Sequence, residues 1–168
     1  MKMTLLEIKQ KVDQLAARIN APANYLPTFS SPIGDATPNI EIDDLGLYHY
    51  VISERGNEYD RKMTSDLNDL LYWIFSSVTF SMATDYELKN RIEDQDFRRI
   101  LFQKQQELLG TLNKEWEERE RKEHEYILSN NPFDDLAGVR ATYCRELRAK
   151  GLSESEIDKL GYEKYPEK

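Results

Sequence analysis

Leu5, Ile8, Val12, Leu15 and Ile19 recur three or four positions apart and so share one stripe of a helix. The Thr4-Leu5-Leu6-Glu7 run in front of them has the form of a capping box, and Asn20-Ala21-Pro22 ends the pattern. A proline-rich, small-polar stretch continues to Pro38, with an edge strand predicted over 28–30. The period then changes. Residues 39–43 alternate, Asp44-Leu45-Gly46 reads as a turn, and residues 47–55 are rich in β-formers. Gly56-Asn57 suits a two-residue hairpin loop ahead of residues 58–63.

These two turns fix a register. A Gly56-Asn57 loop pairs Arg55 with Glu58, Ser53 with Asp60, Ile52 with Arg61 and Tyr50 with Met63, while the first turn pairs Glu41 with His49 and Ile40 with Tyr50. One face then holds Ile40, Ile42, Tyr48, Tyr50, Ile52, Tyr59 and Met63. The other holds Glu41, Asp43, His49, Ser53, Glu58, Asp60 and Lys62. The expectation is an antiparallel meander over 39–63 with helices on its apolar face and a polar, largely acidic surface on the other.

Helical patterns fill the rest. Residues 67–82 form the most hydrophobic segment, with Thr64 or Ser65 as N-cap and Leu70-Leu71-Tyr72-Trp73-Ile74-Phe75 apolar all round, which predicts a buried helix. Thr84-Asp85-Tyr86-Glu87 reads as a second capping box, so this helix is expected to end near Ala83 and another to begin. Phe97, Ile100, Leu101, Leu108 and Leu109 outline a helix ending near Gly110, and Asn113 starts the next. From Glu115 to Glu125 only Trp116 is apolar, which predicts a solvated helix pinned at its ends by Trp116 and by Ile127 or Leu128, with i,i+4 pairs Glu117–Arg121 and Glu118–Lys122. Leu136, Val139, Tyr143 and Leu147 mark another helix closed by Gly151, and Ser153-Glu154-Ser155-Glu156 caps a last one. The fold class is α+β: a small meander packed by an N-terminal helix and several C-terminal helices. Its domain reading is one unit over 1–135 with a helical extension over 136–168.

Composition narrows the function. The 168 residues carry a net charge of −8, and residues 136–168 hold seven basic and six acidic side chains, so the acidity belongs to the main body. That balance repels nucleic-acid phosphates and favours a basic protein partner. No run approaches the roughly 20 apolar residues of a membrane helix, and the charged start at Lys2 and Glu7 does not suggest a signal peptide, so a cytoplasmic location is expected. Cys144 is the one cysteine, excluding an intrachain disulfide and a cysteine metal cluster.

The catalytic inventory is thin. His49 and His124 lack the spacing of helical zinc or di-iron sites, and no nucleophile elbow, phosphate loop or dinucleotide fingerprint occurs. His49 opposite Glu41 reads as a surface cross-strand pair, Cys144 as an inert thiol, and Asp43-Asp44 and Asp134-Asp135 as turn or capping residues. No catalytic, metal or cofactor residues are expected, and neither is nucleic-acid binding.

The hairpin Tyr50-Val51-Ile52-Ser53-Glu54-Arg55-Gly56-Asn57-Glu58 and the following Thr64-Ser65-Asp66-Leu67-Asn68-Asp69-Leu70-Leu71-Tyr72-Trp73-Ile74-Phe75 together resemble the immunity protein 63 family of bacterial polymorphic toxin systems, with similarity running from the first helix to about Asp135. The resemblance implies a non-enzymatic bacterial cytoplasmic protein that binds and neutralises a cognate toxin. It offers no catalytic or toxin-contact residue to carry over. On charge and exposure, the residues expected to meet a partner are Glu41, Asp43, Glu58 and Asp60 on the polar sheet face, with Tyr25 and Phe29 as aromatic anchors from the proline-rich loop. A regulatory or scaffold module for another protein, and a small hydrolase with a dispersed carboxylate site, stand as alternatives.

Overall fold

The structure, a computed structural model, describes residues 2–167. Its elements run α1 (Leu5–Arg18), a 3-10 turn (Ala23–Tyr25), β1 (Asn39–Ile42), β2 (Tyr48–Glu54), β3 (Asn57–Thr64), α2 (Leu67–Lys89), α3 (Phe97–Leu112), α4 (Lys114–Asn130), α5 (Ala137–Ala149) and α6 (Glu154–Lys164). The class is α+β, with the sheet ordered β1-β2-β3 and antiparallel throughout. The chain divides into two compact units: Met1–Met82 with Gln105–Glu120, and Ala83–Lys104 with Arg121–Lys168.

In the first unit α1 starts at the expected capping box, where Thr4 and Glu7 satisfy each other's backbone N–H groups. Its stripe Ile8, Val12 and Ala16 joins Ile40, Tyr48 and Tyr50 from the sheet, Leu70, Ile74 and Phe75 from α2, and Leu109 and Trp116 in a single core. Ile42 and Ile52 pack against its margin, so the apolar face of β1 and β2 is the one expected.

The third strand is not where the turn chemistry puts it. The loop residues are Arg55 and Gly56, both at positive φ, and Glu54 pairs with Asn57. Asn at the second loop position made Gly56-Asn57 attractive, yet the primed turn needs positive φ at both central positions, and the fold places Arg and Gly there. A bulge between Ile52 and Ser53 absorbs one residue, after which Ile52 faces Asp60, Tyr50 faces Lys62 and His49 faces Met63. The one-residue slip exchanges faces along β3. Lys62 therefore sits on the core side, its ammonium 6.0 Å from the Tyr50 ring and 5.7 Å from the Trp73 ring, while Tyr59 and Met63 are 67% and 58% exposed.

The second face of β2 is also covered, contrary to a plain polar surface. Asn39, His49 and Val51 are buried. The proline-rich segment runs beside the sheet: Thr28 bridges Asn39 in parallel, as an edge strand there would, Ala36 N–H donates to the Ser53 carbonyl, and Arg55 N–H donates to that of Gly34.

Two helical expectations are corrected. α2 continues through Thr84 to Lys89, since no Gly or Pro interrupts it and Ala83 and Glu87 are buried. α4 is not solvated between its ends. Trp116, Glu120 and His124, one turn apart, are all buried. Trp116 Nε1 donates to Asn68 and its ring lies near-parallel to Phe75 at 6.0 Å, while the Tyr72 and Ser76 hydroxyls donate to Glu120 Oε2 at 2.8 and 2.9 Å. In the second unit His124 stacks on Phe102 with centroids 3.9 Å apart. The exposed pairs of α4 include Lys114–Glu117 and Arg121–Glu125.

A clasp of aspartates and arginines organises the second unit. Asp96 accepts the Asp134 N–H and holds Arg98 through both oxygens, and Asp135 accepts the Asp96 N–H and holds Arg99 in the same two-point manner. Asp134 binds Arg140, whose Nε reaches the Tyr165 carbonyl. Asp134 and Asp135 are therefore ion-pair partners as well as loop residues. α5 and α6 approach closely at Gly161, where a Cβ would lie 2.6 Å from Cys144 Sγ.

Candidate protein-binding face

On the polar side of the sheet, β1 presents Glu41, its following turn Asp43, β2 His49, and β3 Glu58 and Arg61. Arg61 binds the group together. Its Nη1 donates to Glu41 Oε2 at 2.9 Å, and its Nε and Nη2 donate to the two Glu58 oxygens at 2.8 Å each. Nη1 also lies 2.8 Å from His49 Nδ1. A guanidinium has donors only, so Nδ1 accepts and the imidazole proton sits on Nε2, which donates to Asp43 Oδ2 at 2.9 Å. His49 stands opposite Glu41 in the register, as expected, but it is buried and not at the surface, and its ring connects Asp43 to Arg61.

The charges respond accordingly. Asp43 is held below its ordinary value by the His49 hydrogen bond and then by the Leu47 N–H. Glu58 is lowered by the Arg61 hydrogen bond, and Arg61 is raised by Glu58 and Glu41. Three of the four carboxylates expected on this face are brought together, Glu41 and Glu58 on the Arg61 guanidinium and Asp43 on His49.

The other expected contact residues lie apart from them. Asp60, opposite Ile52, belongs to the core-side face of β3 and is exposed at the strand's surface. Tyr25 and Phe29 are half-buried and pack on the core of the first unit, and Phe29 lines a shallow pocket of about 510 Å³ with Leu5, Leu6 and Lys9. Arg61 was missed as a site residue because its placement depends on the slipped register, which no local signal announces.

The first unit holds sixteen acidic and nine basic residues, a net −7, leaving −1 on the second. Among the described residues no group of three or more His, Cys, Asp or Glu side chains is placed to hold a metal ion, and no helix is long and apolar enough to cross a membrane.

Comparison with known families gives a match to the sequence model described as Immunity protein 63, over residues 43–126, half of the chain. That span includes β2, β3 and α2 and is narrower at both ends than the similarity expected from the first helix to Asp135. No curated protein and no solved structure matches.

Proposed function

This chain belongs to the Immunity protein 63 family, and from that premise we propose that it binds a cognate bacterial toxin in the cytoplasm and neutralises it by covering the surface the toxin acts with. The family match is the observation that carries the reading. The distribution of charge supports a mechanism: a unit of net −7 draws a basic toxin surface toward it, raising the encounter rate. Exposed acids such as Asp44 and Asp60 serve this long-range role. Glu41, Asp43 and Glu58, fixed by Arg61 and His49, offer a rigid, hydrogen-bonded patch whose carboxylates need little ordering on contact. Tyr25 and Phe29, half-buried at the edge of the same unit, supply apolar area.

The test is to search beside this chain's gene for an encoded toxic domain and to co-express the two. Growth restored by the chain, together with a purified complex of the two, is the expected result. A toxin that kills cells equally with and without the chain, and that elutes separately from it, would sink the proposal.

A further inference from the structure

An open pocket of about 750 Å³ lies within the second unit, between residues 91–98 and residues 127–138. Ile92, Phe97 and Ile127 line it while leaving 49, 50 and 40% of their surface exposed. Single exposed apolar residues are ordinary; three around one concavity mark a surface that gains by being covered.

The charge of the lining is specific. Glu93, Asp96, Asp134 and Glu167 stand against Arg91 and Arg98. Both arginines are committed, Arg91 to the two oxygens of Glu87 and Arg98 to those of Asp96 and to the Asn131 and Pro132 carbonyls. Asp134 is engaged with Arg140. What the pocket offers a visitor is therefore the exposed carboxylate of Glu93 and that of Glu167, which also feels the charge of Arg140, beside an apolar wall. Gln95, in the same lining, has its Oε1 buried without a hydrogen-bond donor among the described residues.

We propose that this pocket seats a basic side chain of the protein partner, an arginine or lysine next to a bulky apolar residue. The aliphatic stem and the apolar neighbour cover Ile92, Phe97 and Ile127, and the cationic head faces Glu93 and Glu167. A purely apolar occupant would desolvate those carboxylates without compensation, and an acidic one would be repelled. The inference rests on reading the chain as a protein binder and adds to it an anchor in the second unit.

The test titrates acetyl-Phe-Arg-amide and acetyl-Phe-Glu-amide into the full-length, 15N-labelled protein. Saturable amide-shift changes within 91–98 and 127–138 with the basic dipeptide only are expected, with binding about tenfold weaker in the Glu93→Lys, Glu167→Lys variant. Glu93→Gln, Glu167→Gln is the milder control, since both side chains are exposed and the fold should be untouched. Shifts indifferent to the dipeptide's charge, or confined to residues 39–64, overturn the assignment. The same proteins mixed with the neighbouring toxin domain separate the two readings. A toxin complex whose affinity is unchanged by the variant overturns the pocket's role and leaves neutralisation standing. Dipeptide binding without any toxin complex leaves the pocket standing and overturns neutralisation.

Discussion

Arg61 donates to Nδ1 of His49 at 2.8 Å and thereby assigns the imidazole its tautomer, with the proton on Nε2 facing Asp43. The consequence is measurable. In Arg61→Leu the Nδ1 acceptor loses its donor, Glu41 and Glu58 lose the charge between them, and the melting temperature should fall by a few degrees. Imidazole 15N shifts should report a single Nε2–H form in the wild type and a mixture in the variant. A single Nε2–H form in both would show that Asp43 alone sets the proton.

Charge reversal on the sheet has to respect that network. Replacing Glu41, Asp43 or Glu58 with Lys would disturb folding, whereas Asp44 and Asp60 are exposed and carry no such bond. Asp44→Lys with Asp60→Lys should leave the melting temperature unchanged and slow association with the toxin domain, more at low than at physiological salt. Unchanged association rates at both salts would remove electrostatic steering by this unit.

Ile74 is fully buried in the core of the first unit, while Trp73 is half-buried beneath Lys62. Ile74→Ala should cost about 2–5 kcal/mol in urea unfolding. Trp73→Ala should cost less, because part of its surface is already in water. The reverse order would mean that the Lys62–Trp73 contact contributes more than core burial.

The second unit should be acid-sensitive. Burial pushes the Asp96 carboxyl up, but hydrogen bonds from the Arg98 side chain and from the Asp134 and Arg98 N–H groups outweigh it and hold it below the usual carboxylate range. Arg140 lowers Asp134, and Arg99 lowers Asp135. Depressed folded values contribute stability that is present in full above the ordinary carboxylate value and is lost as pH falls through the folded values. Asp96→Asn should be less stable at neutral pH and lose less on acidification than the wild type. Parallel stability curves from neutral to strongly acid pH would contradict this.

Gly161 faces Cys144 Sγ so closely that Gly161→Ala should destabilise the α5–α6 pair by about 1–3 kcal/mol through overpacking. Cys144→Ala in the same chain should restore most of the loss. Additive effects in thermal melts would place the strain elsewhere.

Much of this architecture is legible in the chain. The capping boxes at Thr4 and Ser153 form as read, and the Ile40–Tyr50 pairing and the core side of β1 and β2 follow from alternation. β3 does not, because two overlapping loop choices at residues 55–57 are close in local preference, and the observed one, with Arg55 and Gly56 in the loop, shifts the strand by one residue. The burial of Glu120 and His124 is equally hidden, since their partners Tyr72, Ser76 and Phe102 lie 22 to 48 positions away in sequence. The candidate contact set was readable by residue type only. Its division into Glu41 and Glu58 on Arg61, Asp43 on His49, and a separate Asp60 depends on register.

β3 has no further strand beside it among the described residues, and it carries two exposed hydrophobic side chains, which would ordinarily invite sheet-to-sheet growth. The bulge twists its start, and a lysine turned inward over two aromatic rings places a charge where a docking strand would need a bare flank. An inward-turned lysine on an open edge strand disfavours strand-to-strand growth, and so keeps copies of this chain apart at concentrations where a bare edge would let them clot.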